Sequence, residues 1–171
     1  MRTARKLLER KLVNERRLGE MLIEEGLLTE EQLNATMKDH DAGQGPLTEL
    51  LVQNGFVNEW DLAKCLVSKV QLPFIFTETY DIPREAQEVL PSAVLHQHRI
   101  VPLDLFGKTL LLATTGNITQ QMVEEIELST NHDISLYVAL ISDVQLTLRT
   151  KFPLAKVADQ VSQRFDQLFK D

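Results

Sequence analysis

The sequence predicts an α+β fold, with an N-terminal helical subdomain of two repeated helix pairs followed by a small sheet with flanking helices. The first indication is a repeat, because residues 17–40 and 46–69 align without a gap at an offset of 29 positions. The second is a change after Lys69 from helical apolar spacing to short strand-like runs. Helical spacing returns near the C-terminus. These changes divide the chain into a helical repeat subdomain (1–70), an α+β subdomain (71–153) and a C-terminal amphipathic helix (154–171).

Each repeat unit is predicted to contain a helix, a glycine that ends it, and a second, capped helix. Gly26 and Gly55 occupy equivalent positions, where a residue in the left-handed region would end the first helix of each unit. Thr29 has a glutamine three residues later, which is capping-box spacing, and Asn58 is the corresponding cap in the second unit. An apolar i, i+4 pair follows in each second helix, Leu33 with Met37 and Leu62 with Leu66.

The second half carries the turn signals and apolar runs of short helices and strands. Pro73 breaks the helical pattern, and residues 74–82 are predicted to be extended. Helices are expected over 83–90, 91–98, about 117–130 and 142–152, and strands over 99–105, 109–113 and 134–141. Asn117 and Ser142 each precede a glutamine at capping-box spacing, and Asn131 is placed to end a helix in the left-handed region.

The composition is that of a globular protein without disulfide bonds. Hydrophobic residues make up 43% of the 171 residues and charged residues 25%, so the chain can bury a substantial core. Cys65 is the only cysteine, which suits a reducing compartment. The charged N-terminus does not resemble a signal peptide, and no apolar run approaches the roughly 20 residues of a membrane span. We therefore expect a cytoplasmic protein that does not span a membrane.

The charge distribution is uneven along the chain. The formal net charge of −7 argues against binding to a nucleic-acid polymer. Residues 1–20, however, contain seven arginines and lysines against three glutamates. This basic segment is either a solvated helix face or a docking surface for an anion or an acidic partner.

No catalytic motif is recognisable in the sequence. The triplet that begins at Gly107 resembles the end of a P-loop, but Pro102 stands where that motif needs its first glycine. The triplet also joins two predicted strands, whereas a P-loop joins a strand to a helix. His96 and His98 are two residues apart on a predicted helix and point in different directions, so they do not form a metal site. We therefore predict that the domain is not an enzyme and needs no cofactor.

The repeat resembles the MshEN family, the N-terminal domain of type II secretion and type IV pilus assembly ATPases. Family members that bind cyclic di-GMP carry two copies of RLGxxLxxxGxxxxxxLxxxLxxQ. The first copy here keeps Arg17, Leu18, Gly19, Leu22, Gly26 and Leu33, with Met37 and His40 at the last two positions. The second keeps Leu47, Leu51, Gly55, Leu62 and Leu66, but has Pro46, Thr48 and Lys69 in place of Arg, Gly and Gln. The LPF turn at 72–74 and the segment 90–103 resemble the family as well.

The resemblance implies a candidate cyclic di-GMP site shared by the two copies. Leucines at i, i+4 offer apolar surfaces for the bases, an arginine at a helix start can pair with a phosphate, and a glycine beside it allows close backbone approach. The implied site residues are Arg17, Leu18, Gly19, Leu33, Met37, His40, Leu47, Leu62, Leu66 and Lys69. Pro46 and Thr48 weaken the second half of this site because neither supplies a cation.

Two functions stay open at this level. One is a non-catalytic regulatory and docking domain that binds a secretion or pilus platform protein, or an assembly ATPase, with cyclic di-GMP as a candidate regulatory ligand. The other is a dedicated cyclic di-GMP receptor domain with a weakened second half-site. The intact Arg17–Gly19 half favours the receptor, whereas the altered second copy and the basic first helix favour docking.

Overall fold

A computed structural model describes residues 14–116 and 118–154, and these ranges form eight helices and one three-stranded sheet. The helices are α1 (Glu15–Glu24), α2 (Glu30–Asp41), α3 (Leu47–Gln53), α4 (Glu59–Cys65), α5 (Arg84–Gln87), α6 (Ser92–His98), α7 (Gln120–Thr130) and α8 (Ile141–Lys151). The strands are β1 (Ile100–Phe106), β2 (Thr109–Thr114) and β3 (Asp133–Val138). The α+β class and the predicted order of elements are confirmed. The predicted C-terminal helix beyond Leu154 and the basic residues 1–13 lie outside the described residues.

The two helix pairs repeat at the level of the backbone. Gly26 and Gly55 both have φ of 70°, and each donates its N–H to the carbonyl three residues earlier, at 2.9 and 3.0 Å. Thr29 accepts from the N–H of Gln32 at 3.2 Å and the Gln32 side chain accepts in return at 3.0 Å, which completes the capping box. Asn58 caps the equivalent helix by accepting from the backbone N–H two residues later at 2.8 Å. The predicted glycine stops and caps are therefore confirmed in both units.

The units differ at their ends. Gly43 and Gly45 have φ of 77° and 152°, so helical backbone resumes only after them, and Pro46 becomes the N-cap of α3. Arg17, by contrast, is already the third residue of α1, whose N-cap is Asn14. At the other end, α4 passes into a π-helical turn over Leu66–Val70, whereas α2 remains α-helical throughout.

The sheet has the order β1-β2-β3. Strands β1 and β2 are antiparallel and meet at a tight turn in which Gly107 has φ of 58°. Strand β3 runs parallel to β2, and α7 makes the crossover between them. The Gly-Lys-Thr triplet therefore lies in a hairpin turn, as the sequence predicts. One further bridge pairs Phe74 with Val138 on the outer side of β3.

Two predicted helix caps are wrong. Helix α7 is capped by Thr119, which accepts from the N–H of Met122 at 3.3 Å, and Asn117 lies outside the described residues. The third strand ends at Val138 rather than 141, and Leu140 is the N-cap of α8 without a side-chain hydrogen bond.

Glu59 of α4 takes over the capping of α8. The N–H and hydroxyl of Ser142 donate to the two oxygens of the Glu59 carboxylate at 3.0 and 2.8 Å. A carboxylate at a helix N-terminus is favourable because it meets unpaired N–H groups and the positive end of the helix dipole. Asn131, at the end of α7, has the predicted left-handed conformation with φ of 56°.

One cluster of buried apolar side chains runs through both halves of the described chain. An ion pair also crosses between the halves, with Arg99 Nε 2.7 Å from Glu49 Oε1. The division at residues 70 and 153 remains a prediction. Among the described helices, none combines the length and apolar character needed to cross a membrane.

Candidate functional site

The ten implied site residues fall into a buried group and an accessible group. The buried residues are Leu18, Gly19, Leu33, Leu47, Leu62 and Leu66. The accessible residues are Arg17, Met37, His40 and Lys69, of which Met37 and His40 are half-buried. The buried leucines belong to the shared core, so a ligand would meet chiefly the side chains of the accessible group.

Arg17 is exposed but already paired. Its backbone N–H donates to Asn14 Oδ1 at 2.8 Å, which fixes the residue in the first turn of α1. Its guanidinium donates to Glu24 at 3.0 Å and to Glu20 at 3.3 Å. These hydrogen bonds, first that to Glu24, raise the pKa of Arg17. An incoming anion would have to replace two carboxylates of the same helix.

Gly19 serves close packing between α1 and α2. A Cβ at this position would lie 2.3 Å from Leu33 Cδ1 and 2.6 Å from Cδ2, so the leucine occupies the space that a side chain would need. The equivalent residue in the second unit, Thr48, is fully buried. Its Cγ2 faces Gly116, at 3.6 Å from where a Cβ on that glycine would stand. In the first unit the space is therefore occupied by Leu33 of α2, whereas in the second unit the side chain of Thr48 extends to Gly116.

His40 and Lys69 also make contacts within the chain. His40 Nε2 lies 2.8 Å from a carboxylate oxygen of Glu15, and its Nδ1 lies 2.8 Å from the carbonyl of Gly45. The histidine thus joins the end of α2 to the start of α1 and to the linker. Lys69 Nζ lies 2.5 Å from Glu25, and this hydrogen bond raises the pKa of Lys69.

A groove of about 610 Å³ lies between α1 and α2, within the usual size range of ligand sites. It is lined by the cations Arg16 and Lys38, the acids Glu20, Glu30 and Asp41, and Ile23, Leu33, Asn34 and Met37. The groove therefore includes Leu33 and Met37 of the implied set. Its arginine is Arg16, which sequence reasoning passed over in favour of Arg17.

An aromatic patch formed by Trp60, Phe74 and Phe76 was not anticipated as a functional surface. The ring centroids lie 5.0 Å apart for Phe74 and Phe76, 5.9 Å for Trp60 and Phe74, and 6.0 Å for Trp60 and Phe76. Trp60 is 45% exposed and Phe76 is 47% exposed. The available signal was the spacing of Phe74 and Phe76, because alternate residues of an extended segment share one face.

Comparison with known proteins places these features in a family. The profile of the MshEN domain matches residues 70–156, which is just over half of the chain. The type IV pilus assembly ATPase PilB of Myxococcus xanthus is 25% identical over 123 residues, covering 72% of this chain and 22% of that protein. PilB of Thermus thermophilus is 26% identical over 117 residues, covering 67% of this chain and 13% of that protein. The chain thus spans about a fifth or less of these relatives.

Solved structures show the same fold. The N-terminal domain of XpsE matches with a TM-score of 0.64 at 22% identity, over 79% of this chain and 93% of that one. A structure of MshE with cyclic di-GMP matches with a TM-score of 0.60 at 22% identity, over 78% of this chain and 96% of that one. These shares exceed residues 70–156, so the likeness extends into the helical repeat. The chain belongs to the MshEN domain family.

Proposed function

We propose that this chain is a non-catalytic regulatory and docking domain of a bacterial secretion or pilus-assembly system, and that it acts by binding a partner protein of that system. The pilus assembly ATPases among its relatives are several times longer than this chain, which suits one module of a larger machine. The partner is a platform protein or an assembly ATPase.

The state of the second half-site carries this proposal over the receptor alternative. Thr48 is 0% exposed where the first unit has Gly19, and Pro46 stands where the first unit has Arg17. Pro46 lacks both a cation and an N–H, and it is the N-cap that precedes α3, whereas Arg17 lies within α1. A ligand with two phosphates and two bases would therefore find one half-site rather than two.

Co-elution tests the docking function. The chain is co-expressed with each platform protein and assembly ATPase of its own cell, and the mixtures are separated by size exclusion with light scattering. We expect one of these components to co-elute stoichiometrically without added cyclic di-GMP. If every component elutes apart from the chain, the docking proposal is wrong. The purified chain should also release no phosphate from ATP above a buffer control.

Cyclic di-GMP binding at the first half-site is the second candidate. The accessible guanidinium of Arg17, the groove beside Leu33 and Met37, and the likeness to an MshE structure that contains this ligand favour it. Loss of a charged hydrogen-bond pair costs about 1.5–3 kcal/mol, or roughly ten- to hundredfold in affinity.

Calorimetry with cyclic di-GMP decides between the candidates. Arg17→Ala is compared with Arg84→Ala, because Arg84 is also an exposed helical arginine paired with a nearby glutamate, the C-cap Glu88 of its helix, at 2.8 Å. If the wild type and Arg84→Ala bind cyclic di-GMP and Arg17→Ala does not, the receptor function is favoured. If the wild type does not bind at high micromolar ligand while the combined Pro46→Arg and Thr48→Gly variant does, the site has been lost and docking is favoured.

A further inference from the structure

The aromatic patch brings together two parts of the chain. Trp60 is the second residue of α4, in the helical repeat, whereas Phe74 and Phe76 lie on the extended segment that follows it. Nearly half of the surface of Trp60 and of Phe76 remains in contact with water. Large aromatic side chains exposed side by side are unusual on a protein surface that has no partner, and they are enriched at the energetic centres of interfaces.

Backbone and carboxylate contacts hold the Phe74–Phe76 segment rigidly. Before Phe76, the N–H of Ile75 donates to the Val138 carbonyl at 2.9 Å, and the N–H of Val138 donates to the Pro73 carbonyl at 2.8 Å. After Phe76, the N–H and hydroxyl of Thr77 donate to Asp143 at 2.6 and 2.9 Å. Because the segment is fixed on both sides of Phe76, little conformational entropy remains to be lost when a partner covers the rings.

Trp60 is held in place by the Asn58 cap and by the start of α8. Its backbone N–H donates to the Asn58 cap at 2.8 Å, and the adjacent Glu59 carboxylate holds the start of α8 through Ser142. Asp143, which anchors the Phe76 side of the patch, lies next to Ser142 on that same helix turn. Both parts of the patch are therefore attached to the N-terminal end of α8, which fixes the three rings relative to one another.

The charged residues that flank the three rings in sequence are mostly acidic. Segments 58–64 and 72–81 contain Glu59, Asp61, Glu78 and Asp81 against the single cation Lys64. Lys64 pairs with Asp61 at 3.2 Å and Glu59 accepts from Ser142, so Glu78 and Asp81 supply the acidic side chains for a cationic partner. Lys151 also reaches this area, but its ammonium is occupied by the carbonyls of residues 77, 78 and 80 at 2.8–3.4 Å.

Exposed aromatic rings with acidic residues nearby favour a binding partner that is both basic and apolar. An arginine side chain can lie against the face of an indole or phenyl ring and pair with a neighbouring carboxylate. A second copy of the same patch would bring the same acidic neighbouring residues and be repelled, because like charges that meet across an interface are unfavourable.

We infer that the aromatic patch of Trp60, Phe74 and Phe76 is the docking surface for the partner protein, and that it takes a basic, apolar segment in which arginine contacts the rings. This inference rests on the proposed docking function and assigns it to one surface. The groove between α1 and α2 is separate from this surface, since it shares no lining residue with the patch.

Trp60 supplies its own probe, because it is the only tryptophan in the chain. The purified chain is titrated with two short synthetic peptides in which leucine alternates either with arginine or with glutamate. We expect the arginine peptide to shift the Trp60 emission to shorter wavelength in a saturable manner that weakens with salt, and the glutamate peptide to have no effect. Phe76→Ala should lower the affinity for the arginine peptide about tenfold or more. Phe106→Ala should leave the affinity unchanged, since Phe106 is 63% exposed at the hairpin turn and lies outside the patch.

Charge reversal gives an independent readout that does not depend on ring packing. The double variant Glu78→Lys with Asp81→Lys should lower the affinity for the arginine peptide about tenfold and allow the glutamate peptide to bind. Equal weakening by Phe76→Ala and Phe106→Ala would overturn the assignment, and so would the absence of any emission change. Concentration-dependent dimers that Phe76→Ala abolishes would show that a second copy covers the patch, which also overturns it.

The co-elution experiment separates this inference from the proposed function. If a partner co-elutes equally well with Phe76→Ala and with the wild type, docking stands but the patch is not the surface. If no component co-elutes with the wild type while the arginine peptide still binds through Phe76, the patch assignment stands and the proposed place in a secretion or pilus system fails.

Discussion

The carboxylate of Asp143 anchors the segment that carries Phe76. The structure allows us to work out how much free energy of unfolding is lost when this carboxylate is removed. Asp143 is 8% exposed and accepts from the Thr77 N–H at 2.6 Å, the Thr77 hydroxyl at 2.9 Å and the Glu78 N–H at 3.0 Å. In Asp143→Ala the hydroxyl keeps its contact with Thr147 at 2.7 Å, but the buried Thr77 N–H loses its acceptor. With about 1.5–3 kcal/mol for each hydrogen bond to a charged group, less the cost of burying the carboxylate, we expect a loss of about 3 kcal/mol.

Urea denaturation followed by circular dichroism measures this loss, which corresponds to a fall in Tm of roughly 6–12 °C for a chain of this size. Asp143→Asn keeps one acceptor oxygen for Thr77 but turns an NH₂ group toward Glu78, so about 1–2 kcal/mol should be lost. Asp133→Ala is the matched control, because among the described residues this exposed aspartate is held by its backbone, whose N–H donates to the Lys108 carbonyl at 2.7 Å, and its carboxylate makes no side-chain hydrogen bond. A loss below about 1 kcal/mol in Asp143→Ala would refute the reasoning and leave other contacts to hold the segment.

Three further predictions concern packing, charge and titration. Gly19→Ala should lower the free energy of unfolding by about 1 kcal/mol, because the overlap of its methyl with Leu33 outweighs the gain in helix propensity; a stabilised variant would show that Leu33 moves aside freely. Arg99→Ala should cost about 2 kcal/mol and Glu49→Ala about 1, since the carboxylate left behind is 6% exposed but the guanidinium 34%; equal losses in urea denaturation would contradict this. Burial raises the pKa of the Cys65 thiol, so a disulfide reagent at pH 8 should label the folded chain more than about tenfold slower than the urea-unfolded chain. For the same reason the free energy of unfolding should begin to fall as the pH rises above the thiol's unfolded pKa of about 8.5, and should keep falling until the pH passes the raised pKa of the folded state.

The sequence by itself determined the repeat and its local geometry. Gly26 and Gly55 predict the two helix ends because a glycine takes positive φ without a Cβ clash, and this depends on no distant residue. The Thr29 capping box and the Asn58 cap are equally local, since each bond spans two or three residues. The order of strands and helices in the second half followed from apolar spacing for the same reason.

Tertiary structure alone decided the features that depend on residues far apart in the chain. The cap of α8 comes from Glu59, 83 residues before Ser142, so the local capping-box pattern at Ser142 predicted the wrong partner. The aromatic patch likewise arises only when α4 packs beside the extended segment that carries Phe74 and Phe76.

The candidate ligand site shows the same limit most clearly. A leucine pair at i, i+4 marks one face of a helix, but the spacing is the same whether that face meets a nucleotide base or another helix. The structure places Leu62 and Leu66 in the core at 2% and 3% exposure and leaves Arg17 at the surface among carboxylates of its own helix. Which surface a side chain meets is set by the packing of whole elements, and the sequence of a single element does not contain that information.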